Sequence, residues 1–160
     1  MAKQTRVTRL PSNRYAGGLA PPPWSARLEA SPTVTTRILV VEDDATVRYV
    51  VSDALQDAGY AVATAIDGAD ALDQIDQHRP DAILLDLGMP SMDGWTFLEA
   101  CQNDDRWARI PIGIMSAAPM LCRTADAFGV QVAIAKPFAL QDLLARVEHL
   151  VNPLPVSPEA

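Results

Sequence analysis

Four stretches of the chain place a residue capable of chemistry at the end of an apolar run. Glu42-Asp43-Asp44 follows Ile38-Leu39-Val40-Val41, and Asp86 follows Ala82-Ile83-Leu84-Leu85. Ser116 follows the largely apolar stretch from Ile110 to Met115, and Lys136 with Pro137 follows Val130 to Ala135. If each run is a strand of one parallel sheet, the four ends meet at a single edge, where ligands of such sheets bind. Several carboxylates would then share a pocket with one ammonium and one hydroxyl. Carboxylates crowded together repel, and a hard divalent cation with oxygen ligands, chiefly Mg2+, relieves the repulsion. An aspartate on such a metal can act as a nucleophile and form an acyl phosphate. Lysine and metal neutralise charge on the phosphoryl oxygens, and a serine hydroxyl donates a hydrogen bond to one of them. Asp86 is the natural acceptor. Each residue alone has a plainer use, since Asp43 or Asp44 could simply cap a helix; the case for a site rests on all four ends together.

The elements that must position these residues are legible from periodicity. The first apolar run suits a strand buried on both faces. Val47, Val50, Val51, Ala54, Leu55 and Ala58 form the stripe of an amphipathic helix, closed by Gly59 as a C-terminal glycine. A strand over Tyr60–Ala65 and a helix over Ala69–Gln77, entered through Asp67–Gly68, precede Pro80. The run ending on Asp86 is a third strand, and a helix over Gly94–Gln102 follows. A fourth strand is expected over Ile110–Met115, a weak helix over Leu121–Phe128, and a fifth strand over Val130–Ala135. A last helix carries Leu140, Leu143, Leu144, Val147, Leu150 and Val151. Apolar strands alternating with amphipathic helices give an α/β fold of (βα)5 type, a parallel sheet covered on both faces.

Composition bounds the alternatives. Hydrophobic residues at 49% and charged residues at 21% are ordinary for a globular chain of 160 residues. No apolar run approaches the roughly 20 residues of a membrane span, and no secretory leader is visible. Cys101 and Cys122 are too few for a disulfide framework and lack metal-site spacing, which suits reduced thiols and a cytoplasmic location. Residues 1–37 carry six basic residues against one acidic, whereas the rest carries seven basic against 19 acidic. An acidic body repels nucleic-acid phosphates, so direct DNA binding is not expected. Residues 1–36, with Gly17-Gly18 and Pro21-Pro22-Pro23, read as a disordered basic extension. Residues 37–151 read as the folded domain and 152–160 as a proline-rich disordered tail.

The segments ILVVEDDATVR, DAILLDLGMPSMDGW, IPIGIMSA and AIAKPF resemble the receiver domain of two-component response regulators, over residues 37–151. The resemblance implies a flavodoxin-like three-layer sandwich with strand order 2-1-3-4-5. It implies that Asp86 is the phosphoacceptor and that Asp43 binds Mg2+ directly, with Glu42 acting through water. The Gly88 carbonyl matches the backbone metal ligand, Ser116 the hydroxyl that moves towards the phosphoryl group, and Lys136 its partner lysine. Pro137 matches a proline preceded by a cis bond, and Met89-Pro90 with Gly94 matches the loop shaping the pocket. The expected function is that of a response regulator in a phosphorelay, taking phosphate from a histidine kinase or histidine phosphotransfer protein. It would assist its own phosphorylation without being a dedicated enzyme. With no further domain expected after residue 151, it would signal by contact with an unidentified downstream protein.

One position departs from the family. Three residues before Lys136, receivers usually carry Tyr or Phe, and this chain has Ala133. That leaves open a phosphorylation-independent interaction module. Other readings fit less well. Glu42-Asp43-Asp44 would repel a flavin phosphate. A haloacid dehalogenase-type phosphatase needs a second aspartate where Gly88 stands. No GxxxxGK[ST] loop is present for a nucleoside triphosphate.

Overall fold

Residues 35–90, 93–117, 128 and 130–153 are described in the computed structural model of the chain. In chain order the elements are β1 (Arg37–Val41), α1 (Ala45–Asp57), β2 (Ala61–Ala65), α2 (Gly68–His78), β3 (Ala82–Asp86), α3 (Gly94–Asn103), β4 (Ile112–Ala117), β5 (Val132–Lys136) and α4 (Leu140–Val151). The strands form one parallel sheet in the order β2-β1-β3-β4-β5. Both the fold class and the strand order expected from the sequence are therefore present.

The continuous apolar runs of β1 and β3 follow from burial on two faces. Leu39, Val41, Ile83 and Leu85 face one core with Ala71 and Ile75 of α2 and Phe97 and Leu98 of α3. Ile38, Val40, Ala82 and Leu84 face the other, with Val51 and Leu55 of α1 and Leu143, Val147 and Leu150 of α4. Successive side chains point to opposite faces of a strand, so an unbroken apolar run fills both layers at once.

Polar residues set the helix starts. Asp44 caps α1 by accepting from the N–H groups of Thr46 at 2.8 Å and Val47 at 3.0 Å. Asp67 caps α2 through Asp70 N–H, and Asp93 caps α3 through Thr96 N–H. At the far end of α1, Gly59 sits at φ +94°, the left-handed turn that a residue without Cβ adopts freely.

Three local expectations need correction. Val50 of the predicted α1 stripe is 40% exposed, because α1 meets the sheet through Val51 and Leu55 and its flank opens on a surface groove. Strand β4 starts at Ile112 rather than Ile110 and runs to Ala117, so Ser116 lies inside it. Residues 104–110 instead wind into a turn in which Asp104 O accepts from Trp107 and Ala108 and Trp107 O accepts from Ile110. Strand β5 starts at Val132, opposite Gly113, rather than at Val130. Phe128, from the expected fourth helix, packs its ring 5.5 Å from that of Trp95, and its carbonyl accepts from Gln102 Nε2 at 2.8 Å. The rest of that helix, residues 1–34 and residues 154–160 lie outside the described residues.

Candidate functional site

The register of the sheet explains why the four strand ends meet. Val41 pairs with Leu85 across β1 and β3, Asp86 with Met115 across β3 and β4, and Ala117 with Lys136 across β4 and β5. Glu42 and Asp43 therefore follow β1 at the edge where β3 delivers Asp86, β4 Ser116 and β5 Lys136. Carboxylate oxygens of Glu42, Asp43 and Asp86 lie within 4.8 Å of one another. Lys136 Nζ donates to Glu42 Oε2 at 2.7 Å and to Asp86 Oδ2 at 2.9 Å, while Gly88 N–H donates to Asp86 Oδ1 at 3.0 Å. Glu42 and Ser116 are buried, Asp86 is 6% exposed, and Asp43 is open to solvent. The Lys136–Pro137 peptide is cis, as the resemblance implied.

Charge in the pocket is finely opposed. Burial raises the Glu42 pKa, and the nearby Asp86 charge adds to this against the pull of Lys136. Burial disfavours the Lys136 ammonium, but hydrogen bonds and charge from Glu42 and Asp86 outweigh it and hold its pKa above the usual lysine value. The two directions look inconsistent for one ion pair. They are reconciled because Lys136 has two carboxylate partners, whereas Glu42 shares one ammonium and gives up nearly all its hydration.

Close-packed glycines hold Asp86 in place. A Cβ at Gly88 would lie 3.6 Å from Asp86 Oδ1, so any larger side chain there would stand beside the carboxylate. A Cβ at Gly94 would meet Asp86 O at 2.7 Å and Leu87 Cα at 2.8 Å, so only glycine lets α3 start hard against the β3 terminus. The hard oxygen donors and partial exposure suit a small divalent cation such as Mg2+. Among the described residues, the carboxylates of Glu42, Asp43 and Asp86 form the cluster that could hold one.

Sequence reasoning missed Arg48. Its Nη1 donates to the carbonyl oxygens of Glu42 at 2.7 Å and Asp43 at 3.2 Å. The available signal was a cation in the first turn of a helix, where the helix dipole disfavours it.

The response regulator receiver domain model matches residues 38–148. The chain belongs to the response regulator receiver domain family. Among curated relatives, transcriptional regulatory protein PrrA of Mycobacterium tuberculosis is 39% identical over 121 residues, covering 72% of this chain and 50% of that protein. The chain thus spans about half the length of the curated relatives it matches. Among solved structures, chemotaxis protein CheY4 of Vibrio cholerae aligns with TM-score 0.67 at 33% identity, covering 72% of this chain and 98% of that one. The receiver domain of sensor histidine kinase PA1611 of Pseudomonas aeruginosa aligns with TM-score 0.66 at 27% identity, covering 73% and 98%. Its structure has a magnesium ion coordinated in the active site cleft.

Proposed function

We propose that this receiver accepts a phosphoryl group on Asp86 in a two-component phosphorelay and carries the signal by protein contact. The observation that carries the reading is the meeting of Glu42, Asp43 and Asp86 within 4.8 Å, with the Lys136 ammonium bridging Glu42 and Asp86. The donor is a histidine kinase or a histidine phosphotransfer protein in the cytoplasm. An apolar groove of about 520 Å³ beside Lys136, lined by Val47, Val50, Pro137, Phe138 and Leu140, gives a protein donor a surface next to the acceptor.

An Asp86 carboxylate oxygen attacks phosphorus, the P–N bond to the donor imidazole breaks, and the imidazole nitrogen takes the electron pair and a solvent proton. Lys136 holds the Asp86 carboxylate in place beforehand and pairs with the phosphoryl oxygens afterwards. Ser116 donates its hydroxyl to one of those oxygens. When bound, Mg2+ supplies further neutralisation of charge on the transferring group. The same residues serve one acceptor reaction on their own chain, so the domain assists its own phosphorylation without being a dedicated enzyme.

The relatives bear names of transcriptional regulators, but residues 38–160 carry 19 acidic against seven basic residues, and DNA contact is not proposed for them. Incubation with a small acyl-phosphate donor and Mg2+ should add one phosphoryl group, and Asp86→Asn should abolish it. Unchanged labelling in that variant would place the acceptor elsewhere. Ala133 favours a second reading, an interaction module that works without phosphorylation; wild-type protein that takes no label and binds no Mg2+ would point to it.

A further inference from the structure

We infer that Arg48 is a positioning residue, fixing the backbone that carries the acidic pair so that the Glu42 and Asp43 carboxylates are preset for the cation. This rests on the metal-binding reading of the site and extends it to a residue outside the carboxylate cluster.

Arg48 is half-buried in the first turn of α1, on the helix that Asp44 caps. A cation there is opposed by the helix dipole, so it needs compensation. Among the described residues its guanidinium forms no salt bridge with a carboxylate. Both of its hydrogen bonds, at 2.7 and 3.2 Å, go to the carbonyl oxygens of Glu42 and Asp43. These are the two residues whose side chains enter the acidic cluster. Anchoring both carbonyls sets the two successive peptide planes, and with them the directions of the side chains they carry. Asp44 N–H adds a longer contact to Glu42 Oε1 at 3.3 Å, closing the turn from the other side. Outer groups that orient metal ligands commonly change affinity by about 10–100-fold.

Positioning and charge predict opposite signs, which makes the inference testable. A positive charge this near a cation site repels the cation, so its removal alone should tighten binding. If positioning dominates, removal should weaken it. Mg2+ alone, titrated against the full chain and followed by the amide signal of Gly88, is the measurement. Arg48→Met should weaken Mg2+ binding roughly tenfold, with the thermal midpoint within a few degrees of wild type. Arg48→Lys should recover most of the loss. Unchanged or tighter binding in Arg48→Met would overturn the inference. If that variant is unfolded, Arg48→Ala decides, since it too loses the charge and every N–H donor while keeping high helix propensity: weaker binding than wild type supports the inference, and unchanged or tighter binding overturns it. A wild-type chain that binds no Mg2+ sinks the metal-binding reading as well, whereas a failure confined to the Arg48 variants sinks this step alone.

Discussion

Lys136 is the counter-charge for two carboxylates that water scarcely reaches, with side-chain exposures of 1% for Glu42 and 9% for Asp86. Lys136→Met leaves both facing one another. The expected loss is about 2 kcal/mol, less than the roughly 3–5 kcal/mol of a fully buried pair because solvent still reaches the lysine. Adding Mg2+ should return part of that loss by binding the folded state, read as a rise in the denaturant midpoint larger than in wild type. A midpoint unchanged by the substitution would show that the pocket does not need its ammonium. Cys101 gives an independent check on the core. Burial pushes its thiol up to about 12, with the Asp104 charge adding to it. The folded-state value lies above that of the unfolded chain, so this contribution is complete below the ordinary thiol range and fades as pH rises towards 12. At about pH 8, alkylation of Cys101 followed by peptide mass spectrometry should therefore be slow in the folded protein and fast in denaturant. The chemistry-bearing residues were readable because each is a polar residue at or next to the end of an apolar run, where packing alone does not call for one. Arg48 carried only a faint signal, a cation at a helix start, because its bonds go to backbone carbonyls and leave no partner side chain in the sequence.

At the scale of elements, Gly94 decides how α3 joins β3. An added methyl would meet main-chain atoms at 2.7 and 2.8 Å, which cannot swing aside as a side-chain tip could. Gly94→Ala should cost about 1–3 kcal/mol and displace the end of β3 that carries Asp86. A stability loss together with slower phosphorylation is expected; full activity at wild-type stability would mean that α3 shifts freely. Asp67 acts more locally, and Asp67→Ala should cost about 1 kcal/mol through the lost α2 cap, with phosphorylation unchanged. Helix and strand identities could be read from periodicity, as the match of α4 to its expected span shows. The starts of β4 and β5 could not. Ile110 is apolar enough for a strand, but the turn built on Asp104 claims its N–H, and only the register with Gly113 fixes where β5 begins.

For the molecule as a whole, the open question is how far a change at Asp86 travels. Ala133 and Ala135 on β5, with Ala139 and Ala145, line a surface groove of about 290 Å³. The aromatic usual in the family would fill such space and tie it to the pocket. With a methyl there, the two states of the switch differ less in packing, and a switch shifts populations only by that difference. Amide NMR with and without a beryllium fluoride mimic should show large shifts near residues 86–88 and small ones over Val132–Lys136 and α4. Large shifts across α4 would mean that another side chain does the coupling. The tilted pair of Trp95 and Phe128 adds an optical consequence. Trp95 follows Gly94, where an added Cβ would meet the Asp86 carbonyl, while its ring lies 5.5 Å from that of Phe128. Its emission should therefore brighten or dim as the acceptor is loaded, giving the chain a built-in lamp whose readings, in a Trp24→Phe, Trp107→Phe background, would follow the phosphorelay in real time without an attached dye.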